Sequence, residues 1–182
     1  LGEVTQNLSN MKIVGNTAYS YWYFNQSVAD TYAATVNKTA QKLSGQAKIY
    51  AMLVPTSIDI TTSDSLREKM NTGDQKKGMD YIFASLSPQV AAVDIYKPLR
   101  MHRDEYIYFR TDHHWTALGA YYAYEQFANV KGIKPTPLSK FKKESFGEFL
   151  GSYYTNSNSS ALEKEPDELI AYMPPYKTTL QY

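Results

Sequence analysis

The sequence predicts an α/β fold with a largely parallel sheet. Two apolar runs carry that expectation, "AKIYAMLVPT" (47–56) and "QVAAVDIYKPL" (89–99). Both are continuous rather than alternating, which marks strands buried on two faces, as in a parallel sheet. Between and around them lie segments with helical spacing. The resulting order is strand, helix, strand, helix, strand, strand, helix, and such alternation is the pattern of α/β proteins.

Taken in order, "NMKIVGNTAYSYWYF" (10–24) reads as a strand near 11–15, a Gly15-Asn16 turn, and a second extended piece near 18–24. "NQSVADTYAATVNKTAQKLSG" (25–45) is a helix with Val28, Tyr32, Val36, Ala40 and Leu43 on its apolar face, stopped by Gly45. The strand at 47–56 is bounded by Pro55. "TSDSLREKMN" (62–71) opens with cap-type residues, and a helix resumes at 74–86 with Met79, Ile82, Phe83 and Leu86 on one face. The strand at 89–99 is closed by Pro98. "EYIYFR" (105–110) alternates and reads as a strand. "TALGAYYAYEQFANVKG" (116–132) is a helix ending at Lys131-Gly132. From Pro137 to Tyr182 the pattern loosens and the chain reads as loop-rich.

The totals set outer bounds. A chain of 182 residues with 43% hydrophobic residues suits one domain with a real core. Nineteen basic and eighteen acidic residues give a formal net charge of +1, so charge supplies no reason to expect nucleic acid as a partner. No run of 18 apolar residues predicts a membrane span, and no signal peptide pattern is present. Leu1 in place of Met reads as a mature or trimmed product. Cysteine is absent, which removes thiolate catalysis, cysteine zinc sites and disulfides. The 17 tyrosines among many Thr, Ser and Asn lean toward an exported, cell-surface protein.

The densest chemistry lies in "YFRTDHHWTALGAYYAY" (108–124), where an acid, two histidines and a tryptophan stand between a strand end and a helix start. In α/β sheets that is where sites form. Three readings compete. Asp112, His113 and His114 could ligate a metal, but sequence neighbours rarely all aim at one ion. Supporting ligands are few (His102, Asp59 and Asp94), and no D-x-D occurs. "DHH" is also shared with the manganese-dependent DHH phosphoesterases, on three residues only. In the second reading the acid fixes the tautomer of a histidine and steadies its charged form, for proton transfer with a nucleophile. In the third, Asp112 or Thr116 merely caps the following helix.

The block resembles the hallmark of the DHHW family, bacterial exported proteins named for those four residues. The frame "IYAMLVPTSIDI", "VDIYKPL", the DHHW block and "FGEFLGSYY" extends the resemblance over most of 47–155. That family is similar to the SGNH-like alginate O-acetyltransferases, whose motif reads Asp-x-His-Trp. The resemblance implies a single SGNH-hydrolase-like domain over 1–182, a three-layer fold with a mostly parallel sheet, incomplete at its C-terminus. It implies Asp112 as triad acid and His114 as base, with His113 in the variable middle position; on the acid–base reading Trp115, directly after the histidine, walls the site. Tyr108 and Arg110 share a strand face by alternation and are further site-lining candidates, weighed against core packing and a surface charge.

A triad needs a nucleophile. Nothing after Trp115 reads as a strand–Asp–Ser–helix turn. Ser145, Ser152 and the serines of "TNSNSS" (155–160) lack that frame, and Gly15-Asn16-Thr17 is a poor match to the SGNH elbow. The expectation is therefore acyl transfer or ester hydrolysis on a cell-surface or secreted glycan, with the serine outside this sequence and with no metal or organic cofactor. A metal-dependent phosphoesterase and a non-catalytic glycan-binding scaffold, using aromatic residues such as Tyr153 and Tyr154, are the alternatives.

Overall fold

The computed structural model describes residues 4–176. Strands β1 (Val4–Asn7), β2 (Met11–Val14) and β3 (Thr17–Ser20) form an antiparallel sheet in sequence order. Val14 pairs with Thr17 across the predicted turn, where the Thr17 Oγ1 donates to Asn16 Oδ1 at 3.0 Å. Thr17 is thus a strand residue behind a tight turn. Helix α1 (Gln26–Lys42) is capped by Asn25, whose side-chain oxygen accepts from Val28 N.

Strand β4 (Ile49–Met52) leads through α2 (Ser57–Ile60) and α3 (Asp64–Lys69) to α4 (Gln75–Ala84). Strand β5 (Val90–Val93) then pairs with β4 in parallel, Ile49 opposite Val90 and Met52 opposite Val93. Helices α5 (Tyr96–Met101) and α6 (Ala117–Lys131) follow, α6 ending on Gly132 in the left-handed conformation that glycine adopts without strain. A 3-10 turn (Leu138–Lys140) precedes β6 (Lys142–Phe149), α7 (Ser152–Ser157), α8 (Ser160–Glu163) and β7 (Asp167–Met173).

The largest core cluster joins Ile60, Val93, Ile95, Leu99, Ile107, Tyr108 and Ala123, so it lies between the parallel pair, α5 and α6. A second cluster packs Met11, Ile13 and Ala18 of the first sheet against Tyr153 of α7 and Leu162 of α8. The first sheet and α7 are thereby brought together beside Arg110 and Thr111, to whose carbonyls Ala18 N and Tyr153 N donate.

Several expectations are corrected. Among the described residues only β4 and β5 are parallel; the other two sheets are antiparallel, so the fold is mixed α/β rather than built on a mostly parallel sheet. The 105–110 segment forms no ladder and only a single bridge, Tyr108 to Trp115. Its backbone groups are drawn elsewhere, as described below. Pro98 does not close a strand. It sits in the first turn of α5, where a missing N–H costs nothing. On α1 the buried residues are Ala29, Ala33 and Ala40, while Val28 is 64% exposed and Tyr32 is exposed as well. Small side chains let α1 lie close against α4, and that outweighs the larger apolar residues around the helix. The stretch 137–182 is not loop-rich as far as it is described: β6 and β7 form an antiparallel pair with two helices between them. No described helix is long and apolar enough to cross a membrane.

Candidate active site

Residues 107–116 fold back on themselves as an irregular hairpin. Phe109 N donates to the His114 carbonyl at 3.2 Å, and Thr116 N donates to the Ile107 carbonyl at 2.9 Å. Thr116 is the N-cap of α6: its hydroxyl accepts from Gly119 N and donates to the Tyr106 carbonyl at 2.7 Å. Gly119 is required by packing, because a Cβ there would collide with the Ile107 carbonyl. The cap role therefore falls to Thr116, and the Asp112 carboxylate serves elsewhere.

Asp112 is buried, while the His114 side chain is 65% exposed. One carboxylate oxygen, Oδ1, accepts from His114 N at 2.9 Å and faces His114 Nδ1 at 2.6 Å. The other, Oδ2, accepts from Ser152 N at 2.9 Å, at the first residue of α7. Burial pushes the Asp112 carboxyl up, but hydrogen bonds from Ser152 and His114 outweigh it and hold the group at about 2. An ionised Asp112 accepts the Nδ1 proton of His114, which leaves Nε2 as the nitrogen free for proton transfer.

The expected site residues separate into two groups. His113 lies against His114, the rings 3.8 Å apart, and its Nδ1 is 2.8 Å from Ser152 Oγ and 3.8 Å from Asp112 Oδ1. Asp112, His113 and His114 thus cluster, each with one potential ligand atom within 4.8 Å of the others. The other three point away from that cluster. Trp115 packs against the main core, and Tyr108 is buried with its hydroxyl donating to the Pro55 carbonyl at 2.5 Å. Arg110 donates to the Pro166 carbonyl at 2.8 Å and stands over the Tyr106 ring, tying the hairpin to the segment before β7.

Four supporting residues carry no local sequence signal for this role. Asp167, with no exposed surface, accepts from Arg110 N at 3.0 Å, from Thr111 N at 2.7 Å and from Thr111 Oγ1 at 2.6 Å, and also from the Tyr106 hydroxyl. Thr111 in turn accepts from Gly151 N on its hydroxyl and from Tyr153 N on its carbonyl, both at 2.9 Å. Gly151 is forced by proximity: any Cβ there would overlap the Asp112 side chain. Ser152 lies in the quoted "FGEFLGSYY" block, but only the fold brings it onto Asp112 and His113.

Comparisons with known proteins bear on the family and the fold. The profile of the family described as "DHHW protein" matches residues 2–182. A crystal structure of a DHHW family protein from Eubacterium siraeum superposes with a TM-score of 0.87 at 26% identity, over 96% of this chain and 57% of that one. PatB1 of Bacillus cereus, solved with a sulfonyl adduct, gives 0.69 at 16% identity, over 96% of this chain and 58% of that one. The O-acetyltransferase domain of Pseudomonas putida AlgJ gives 0.59 at 18% identity, over 88% and 63%. The last two likenesses show a shared fold. The chain spans less than two thirds of each of these structures. No curated protein matches it.

Proposed function

The chain belongs to the DHHW family, and from that membership we propose that Asp112 and His114 are the acid and base of an SGNH-like acyl transfer. The observation that carries the reading is the 2.6 Å contact of the Nδ1 of a largely exposed His114 with a buried Asp112. Asp112 fixes the tautomer and stabilises the imidazolium as it forms. His114 Nε2 removes the hydroxyl proton of a serine nucleophile, which in this reading is not one of the serines placed around Asp112 and His114 here. The serine oxygen bonds to the carbonyl carbon of an acyl ester, and the tetrahedral intermediate collapses. The alcohol leaves with the proton from His114, and the acyl group stays on the serine. A second hydroxyl, or water, then repeats the steps in reverse and takes the acyl group away. The proposed substrate is an acetylated or acetyl-accepting glycan at the cell envelope, reached by an exported protein. The fold shared with an O-acetyltransferase domain supports the reaction class.

One observation favours a metal-dependent phosphoesterase, the clustering of Asp112, His113 and His114. Against it, both Asp112 oxygens already accept from N–H groups, so the carboxylate is arranged to hold an imidazole rather than an ion. The test is acetyl-ester hydrolysis by the full-length protein, wild type against Asp112→Ala and His114→Ala, with metal content measured on the same samples. Each variant is expected to lose about 10³- to 10⁴-fold in kcat/KM, as triad members do. Unchanged rates would remove the proton relay and leave a binding role. Stoichiometric manganese or zinc that is lost in His114→Ala would establish the metal reading instead.

A further inference from the structure

We propose that Ser152 is the positioning residue that makes His114, rather than the adjacent His113, the partner of Asp112; the inference rests on the acid–base reading above. Two imidazoles lie side by side next to one carboxylate, with ring centres 3.8 Å apart. Their Nδ1 atoms are 2.6 Å (His114) and 3.8 Å (His113) from the same Asp112 oxygen. Ser152 accounts for the difference. Its hydroxyl lies 2.8 Å from His113 Nδ1 and occupies the nitrogen that would otherwise compete. Its amide donates to Asp112 Oδ2 and fixes the carboxylate so that Oδ1 faces His114.

The clamp cannot drift, because its own helix is anchored. Gly151 N and Tyr153 N both donate to Thr111, and the Tyr153 hydroxyl meets Ser20 Oγ at 2.8 Å. Ser152 is not itself arranged as a nucleophile. A triad places the serine and the acid on opposite nitrogens of one ring. Here Ser152 and Asp112 both approach His113 at Nδ1, so no proton path runs from the serine through the ring to the acid.

The tautomers of both histidines, read by long-range ¹H–¹⁵N NMR on this chain, test the proposal without any assay of activity. Wild type is expected to show His114 as a single Nδ1–H form. In Ser152→Ala the freed His113 competes for Asp112, so the Nδ1–H population of His114 falls and His113 changes its tautomer balance. Ser152→Thr, which keeps a hydroxyl, and the double variant Ser152→Ala/His113→Gln, which removes the competitor, are each expected to restore the His114 signal. In the full-length enzyme Ser152→Ala should lower kcat roughly tenfold at unchanged KM, the scale of one lost hydrogen bond. Identical imidazole spectra in wild type and Ser152→Ala would overturn the proposal, and so would failure of the double variant to restore His114. Should Ser152→Ala not fold, His113→Gln alone decides: loss of the His114 Nδ1–H signal there would show that His113 supports the pair instead of competing with it. The spectra and the hydrolysis assay fail separately. Shifted spectra with unchanged Asp112→Ala rates would refute acyl transfer and leave the clamp standing.

Discussion

The 110–116 hairpin rests on two buried carboxylates that the fold treats in opposite ways. Asp167 is closed off entirely and its carboxylate serves the chain itself: it accepts from the amides of Arg110 and Thr111 and the hydroxyls of Thr111 and Tyr106, and it lies 3.7 Å from Arg110 Nε. Asp112, next to Thr111 in the hairpin, also accepts amides, but one of its oxygens is turned to an imidazole that is mostly in solvent. The first carboxylate fixes where the backbone runs. The second, carried by that backbone, aims a side chain outward. A buried acid therefore signals a candidate reacting group when its solvent-reaching partner is an imidazole that can exchange a proton, as at Asp112, and not when it is a guanidinium, as at Asp167. Burial alone does not separate the two.

Removing each acid should separate their roles, and the larger effect on folding belongs to Asp167. Asp167→Ala strands the Tyr106 hydroxyl and the Arg110 and Thr111 amides in the interior. Each such group costs about 1–3 kcal/mol when left unpaired, and local relaxation recovers part of the sum. A loss of roughly 3–5 kcal/mol in unfolding free energy is expected, in the range for breaking a buried charged network. Urea denaturation of wild type and variant measures it. A loss below about 1 kcal/mol would mean that the hairpin is held by its own turn, and the contrast between the two acids would collapse.

How much of this was legible follows from the same contrast. Asp112 and His114 are two residues apart, so a short motif shows both, and a local turn brings them within reach of each other. Asp167 acts across 55 positions from Asp112, from a segment with no periodic pattern, and nothing in "EPDELI" marks it as the support of a site. Ser152 was visible as a serine but not as a partner, because only the packing of α7 on Thr111 brings it there. The same limit explains the sheet. Continuous apolar runs identified β4 and β5 as a parallel pair, although Met52 and Ala92 are exposed and the pair is not buried on both faces, whereas "EYIYFR" alternates like a strand yet bonds within its own hairpin, to Asp167 and to β3. On α1 the periodicity held for Val36 and Ala40, which reach the core, but in the first turns close helix packing buried Ala29 and Ala33 in place of Val28 and Tyr32. Local pattern shows what a segment can bury, and the partner across the fold decides which part is buried.

Acid sharpens the comparison from the side of Asp112. Its carboxyl is held at about 2, below its ordinary 3.8, so its contribution to stability is fully present above pH 4 and is lost as pH falls toward 2. The shift corresponds to about 2 kcal/mol at most. Other carboxylates titrate in the same window, so the informative quantity is the difference between wild type and Asp112→Asn. That difference is expected to shrink by about 1.5 kcal/mol between pH 6 and pH 2.5 in urea denaturation. A constant difference would mean that the amide bonds to Asp112 do not depend on its charge.

The smallest effect should come from the part of the hairpin that touches neither acid. Thr116 caps α6 through Gly119 N and reaches back to the Tyr106 carbonyl, so it closes the hairpin independently of the carboxylates. Thr116→Ala removes one cap and one buried hydrogen bond, which together cost about 1–2 kcal/mol. Thr116→Ser keeps the hydroxyl and should recover most of that. Because the cap lies on the far side of Trp115 from His114, the His114 tautomer is expected to stay Nδ1–H in both variants, read by the same ¹⁵N spectra. A changed tautomer in Thr116→Ala would show that the cap also sets the geometry of the Asp112 turn. The division between an acid that holds the backbone and an acid that aims the histidine would then have to include the helix start as a third support.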